Sequence, residues 1–227
     1  MSLKVRMGER ELVMNGPYLT ELRNSNDILQ DAEALRERIN EDGYLLIRGF
    51  HDQDAVLAAR QSFLNKIADQ GKLAPNTAVD DAVIGAGNKA AAFQGSHTQP
   101  QSLLDLVNSA RVMSFFDRFL GGESMTYDYK WVRAMGTGDF SGAHYDVVYM
   151  GRGTKNLYTV WTPLGDVSYK MGGLSILLGS HRFDKIRETY GQIFKCLDVN
   201  LVAQERSSRT WPAFRNGVYK IKRSQPP

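Results

Sequence analysis

The stretch SGAHYDVVYM, residues 141–150, places a histidine and an aspartate two positions apart within an apolar run. On a β-strand, side chains at i and i+2 point to the same face. His144 and Asp146 are then neighbours aimed at one point, where two such donors can hold a metal ion. The plain alternative is a half-buried strand pair satisfied by hydrogen bonds. Position favours the metal: the pair follows a Gly-containing turn at the head of a strand, where the mouth of a barrel would lie. Barrel mouths are favoured ligand sites.

Outward from this stretch, the chain divides by texture. DAEALRERINEDG (31–43) has Ala32, Leu35 and Ile39 near helical spacing, with Gly43 as a stop. YLLIRGF (44–50) reads as a short apolar strand. Residues 52–73 read as a second amphipathic helix with a stripe of Val56, Ala59, Phe63 and Ile67. Residues 74–98, rich in Ala, Gly, Asn and Asp, read as a long irregular loop of the kind that is often functional. SLLDLVNSARVMSFFDRFLGG predicts one or two helices closed by Gly121 and Gly122. After residue 123 the segments MTYDYKWVRAM, AHYDVVYM, NLYTVWTPL and GLSILLGS are β-branched and aromatic, with turn residues between them. Helices followed by consecutive strands predict an α+β fold, an antiparallel sheet or barrel backed by N-terminal helices.

Composition narrows the function. The 227 residues are 42% hydrophobic and 23% charged, ordinary for a globular protein able to bury a core without staples. A net charge of +3 does not make a nucleic-acid face, which needs clustered Lys and Arg. The single cysteine, Cys196, excludes an internal disulfide and a cysteine-built zinc or iron–sulfur site, and nothing in the sequence marks it as a nucleophile. A charged N-terminus without an apolar core argues against a signal peptide, and no run approaches membrane-spanning length. A cytoplasmic protein without nucleic-acid or membrane partners is expected.

The second motif is LYTVWTPLGDVSYKMGGLSILLGSHR, 157–182. An apolar strand with Trp, then Pro-Leu and Asp, then Gly-Gly-Leu and Gly-Ser-His follows His-x-Asp at short distance. This pattern resembles the phytanoyl-CoA dioxygenase-like family of Fe(II)/2-oxoglutarate oxygenases, with matching texture from about residue 30 to about 205 and specific motifs in 125–182. The resemblance implies a double-stranded β-helix (jelly roll, cupin-like) with N-terminal helices packed against it. It implies that His144 and Asp146 bind Fe(II), and that 2-oxoglutarate is the co-substrate. It places Trp161 beside 2-oxoglutarate, Arg133 at a cationic co-substrate contact, and Tyr149 and Thr159 on the pocket wall. Each has a plainer reading: Trp161 as core filler, Arg133 as a solvated strand residue. His181 follows a strand, but in the family the histidine of the Gly-Ser-His turn is usually not a ligand. His51 opens a helix, and His97 lies in the loop FQGSHTQP. Gly85, Ala86 and Gly87 lack the third glycine and βαβ setting of a nucleotide loop.

The family's third ligand is a histidine well downstream of that turn, followed by an arginine that clamps 2-oxoglutarate. Beyond His181 this chain has no histidine, and ERSSRTWPAFRNGVYKIKRSQPP is basic and not strand-like. The expected organisation is therefore a helical buttress with a first strand (1–122), a jelly-roll core carrying the metal motif (123–204) and a basic, aberrant tail (205–227). The expectation is a C-terminally truncated or frame-altered descendant of a longer enzyme, whose unpaired sheet edge favours self-association.

Two functions follow. One is a dioxygenase that hydroxylates a small organic substrate while 2-oxoglutarate is decarboxylated to succinate. The other is a degenerate jelly roll that binds a small molecule or a partner without turnover. A cupin-like enzyme using another metal ranks third, since such sites usually supply more histidines than this chain has in its core.

Overall fold

The computed structural model describes residues 3–7, 10–86, 92–93, 99–128, 130–135, 141–146, 156–169, 171–189 and 219–221. They form a mixed α+β fold in two units, each assembled from separate stretches of chain. The first comprises Met1–Leu46, Phe140–Trp161 and Val167–Pro227; the second comprises Ile47–Asp139 and Thr162–Asp166.

In the first unit, β1 (Lys4–Met7) and β2 (Arg10–Val13) pair antiparallel, with Lys4 opposite Val13. Val5, Met14 and Leu19 form a small core joined by Leu12 and Tyr169, whose hydroxyl donates to Glu21 Oε1 at 2.8 Å. A three-stranded sheet has β7 (Tyr219–Ile221) at its centre. It pairs antiparallel with β3 (Leu19–Glu21) and parallel with β6 (Ser175–Leu177). Helix α1 (Ala32–Asp42) starts where the Asp31 carboxylate accepts from the Glu33 and Ala34 amides, a cap that contributes about 1 kcal/mol. It stops at Gly43, whose φ of 81° is left-handed and open to glycine at little cost. Leu35 is buried as its spacing predicts. So is Arg38, which escapes the apolar pattern because its guanidinium donates to the Asn24 carbonyl at 3.0 Å.

In the second unit, α2 (Gln53–Asp69) is capped by Asp52 and buries Ala59, Phe63, Leu64 and Ile67. Helices α3 (Gln101–Val107) and α4 (Ala110–Leu120) follow, with a break at Asn108 and Ser109. Ala59 packs with Leu103 and Leu106; Phe63, Leu64 and Ile67 form a second cluster; Val132 and Leu164 touch both. Each large side chain buried here is worth about 1.5–3 kcal/mol of transfer free energy. β4 (Ala92–Phe93) pairs antiparallel with β5 (Val132–Arg133). Arg60 donates to the carbonyls of Leu164, at 3.4 Å, and Asp80, at 3.1 Å.

Helices α1, α2, α3 and α4 lie where periodicity puts them, and β6 lies within GLSILLGS. The other strands differ from expectation. YLLIRGF forms no strand: Leu46 makes a single bridge to Asn24, and Gly49, at φ 62°, turns the chain. Residues 156–163 and 141–146 lie outside strands, and among the described residues MTYDYKWVRAM contributes only Val132 and Arg133. The hairpin β1–β2 and strand β3 lie in a segment read from sequence only for its charge. Among the described residues, no helix is long and apolar enough to cross a membrane.

Candidate metal-binding site

His144 and Asp146 meet, though not on a strand. The chain at 141–146 turns so that His144 Nε2 lies 3.1 Å from Asp146 Oδ1. His144 Nδ1 lies 2.6 Å from the carbonyl oxygen of Gly142. A carbonyl only accepts, so Nδ1 carries the proton and donates. In the neutral ring Nε2 then presents its lone pair to a carboxylate oxygen. Two lone pairs at that distance repel unless a cation joins them, either a proton on the imidazole or a metal ion. A second ring nitrogen donating to a backbone carbonyl is also how metal-bound histidines are commonly oriented. The donor pair fits a divalent cation.

Tyr145, between the two donors, is half-buried and donates its hydroxyl to the Ser180 carbonyl at 2.8 Å. Ser180 opens the 3₁₀ turn Ser180–Arg182. The next two residues grip the end of α1. His181 Nε2 donates to the Asn40 carbonyl at 3.0 Å, and Arg182 Nη2 donates to the Asn40 and Glu41 carbonyls at 2.9 Å each. These bonds satisfy carbonyls that a helix end leaves orphaned, and the Arg182 cation suits the negative end of the helix dipole. The His181 ring is thereby engaged with backbone.

The remaining candidates are on other segments of the chain. Arg133 is on β5 of the second unit, where Val132 and Ala134 face the apolar cluster and Arg133 faces outward. Its guanidinium carbon is 5.6 Å from the Trp131 ring centroid. Thr159 is exposed, and Trp161 is 45% exposed, which sets aside core filling for it. Tyr149, His97 and Cys196 lie outside the described residues. His51, in the second unit, pairs Nε2 with Thr162 Oγ1 at 3.2 Å and packs edge-on against Phe50. Burial pushes its imidazole below the ordinary value of 6.5, and the Arg111 charge adds to that shift. Among the described residues, no cluster of three or more His, Cys, Asp or Glu side chains is placed to hold a metal.

The sequence reading missed the supports of the pair. Gly142 and Ser180 act through carbonyls, which leave no side-chain signature. Tyr145 had one: an amphipathic ring placed between two donors.

The sequence is similar to known proteins. The phytanoyl-CoA dioxygenase (PhyH) family profile matches residues 39–211, and the chain belongs to that family. Over 171 residues it is 26% identical to the 1-deoxypentalenic acid 11-beta-hydroxylase of Streptomyces exfoliatus, covering 72% of this chain and 59% of that protein. Over 162 residues it is 26% identical to the protein of the same name from Streptomyces arenae, covering 68% of this chain and 56% of that one. The chain thus spans less than two thirds of the length of either relative. No solved structure gives a significant match. The resemblance expected from the motifs is the one found.

Proposed function

We propose that the protein is a non-haem Fe(II)/2-oxoglutarate-dependent dioxygenase that hydroxylates a small organic substrate on a jelly-roll scaffold. The observation that carries this reading is the His144/Asp146 pair, its tautomer set by Gly142 and its Nε2 lone pair directed at a carboxylate, in a chain of the PhyH family. The named activity of the Streptomyces relatives supports a small carboxylic acid as the class of substrate.

His144 and Asp146 would hold the iron, which when loaded supports oxidative decarboxylation of 2-oxoglutarate to succinate, one dioxygen oxygen entering succinate and the other the substrate C–H bond. The rest falls to the chain. The Gly142 carbonyl keeps the proton on Nδ1, so that the ring's lone pair is on Nε2, beside Asp146. Asp146 supplies a hard anionic donor that suits Fe(II). The family resemblance alone assigns Arg133 to a co-substrate carboxylate and Trp161, Thr159 and Tyr149 to a pocket wall.

The test is anaerobic titration with Fe(II) and 2-oxoglutarate followed by visible absorbance. A charge-transfer band lost in Asp146→Ala, with succinate formation lost in His144→Ala, is the expected result. A folded protein with neither band nor turnover overturns the reading. It would favour the second one, a jelly roll that binds without catalysis. That reading draws on one observation: no third donor joins the pair among the described residues.

A further inference from the structure

We propose that Tyr145 is a positioning residue, tying the His144/Asp146 pair to the Ser180–Arg182 turn and through it to the end of α1. This deepens the metal reading above and rests on it. All of these groups lie in the first unit.

The Ser180 carbonyl accepts twice, from the Tyr145 hydroxyl at 2.8 Å and from the Phe183 amide at 3.1 Å, which uses both of its lone pairs. Its direction is set by the turn: Gly179 is left-handed at φ 72°, and the Arg182 amide donates to the Gly179 carbonyl at 3.0 Å. The turn is held in place by His181 and Arg182, which together make three bonds to α1 carbonyls. Residues 141–146 lie outside strands, so a sheet ladder does not orient them. Fixing the ring of residue 145 fixes the backbone that carries 144 and 146 on either side. A donor pair needs such support, because ligands held loosely lose affinity even when both are present.

The readout is the tautomer of His144 in the metal-free protein, taken from the ring ¹⁵N shifts at a pH where the imidazole is neutral. With four histidines, assignment by substitution is direct. The native protein is expected to show one tautomer, whichever of the Gly142 carbonyl and the Asp146 carboxylate takes the ring proton, and Tyr145→Phe a mixture, with far-UV circular dichroism unchanged. Co(II), followed by its visible bands, is expected to bind Tyr145→Phe about 10-fold more weakly than native protein, the scale of losing an outer support. An unmixed tautomer, or unchanged Co(II) affinity in a protein that binds Co(II), overturns the proposal. If native protein binds no Co(II), the metal reading fails by itself and the tautomer alone decides the role of Tyr145. Should Tyr145→Phe not fold, Arg182→Gln takes its place. That residue touches neither donor, so a tautomer mixture there still reports the tether, and a single form overturns it.

Discussion

The imidazole of His181 rests against the Cα of Gly43, so close that a β-carbon built on residue 43 would come within 2.7 Å of His181 Cγ. The same ring donates from Nε2 to Asn40. One glycine therefore ends a helix and makes room for the side chain that caps it.

Gly43→Ala should cost about 2 kcal/mol or more. Left-handed strain in a residue with a β-carbon accounts for about 1–3 kcal/mol, and overlap with the ring adds to it. Urea unfolding of the two proteins checks this. Equal midpoints would mean that the helix end and the turn separate easily.

His181→Ala should be destabilised by about 1 kcal/mol, the net value of one hydrogen bond, since Arg182 still reaches Asn40. Its Co(II) affinity should fall far less than that of His144→Ala, because the two Arg182 bonds still hold the turn. Loss of Co(II) binding in both variants would make His181 a ligand.

His51 should make stability depend on pH. Its folded value is lowered below 6.5, so the unfolded chain binds the proton more readily. The stability it contributes is full above pH 6.5 and is lost as pH falls through the folded value. Between about pH 7.5 and about pH 5.5, native protein should lose more of its urea midpoint than His51→Gln, whose amide keeps a partner for Thr162. Parallel midpoints across that range would refute this.

Asp117 should act at lower pH. Hydrogen bonds from the Ser124 hydroxyl and amide, both 2.7 Å, hold its carboxyl below the ordinary 3.8. A lowered carboxylate stabilises above the unfolded value, and that contribution goes as pH falls through the folded one. The midpoint gap between native protein and Ser124→Ala should therefore be present at neutral pH and narrow on acidification below 3.8. A gap that widens there would reverse the assignment.

The helices were legible because their signals are local: Gly43 and Gly121 as stops, and a stripe through Ala59, Phe63 and Ile67. The strands were less so. Apolar runs such as 44–50 and 156–163 share the composition of strands, yet pairing depends on distant partners that no local pattern names. Within the site, the approach of His144 to Asp146 was legible, although a turn brings them together instead of the alternation of a strand. Tyr145 and the carbonyls of Gly142 and Ser180 were not read, because their roles depend on what the backbone presents to them.

The central strand β7 bears on how the molecule is made. Leu19 of β3 pairs with Ile221 of β7, about two hundred positions downstream, so the loop that joins them is among the costliest the chain can close. As the polypeptide leaves the ribosome from its N-terminus, β3 emerges long before its neighbour has been synthesised. It must wait with open backbone groups on that edge, which a chaperone or another nascent chain can occupy. Assembly of this sheet is thus a late event, and its rate belongs to topology more than to the strength of any contact within it.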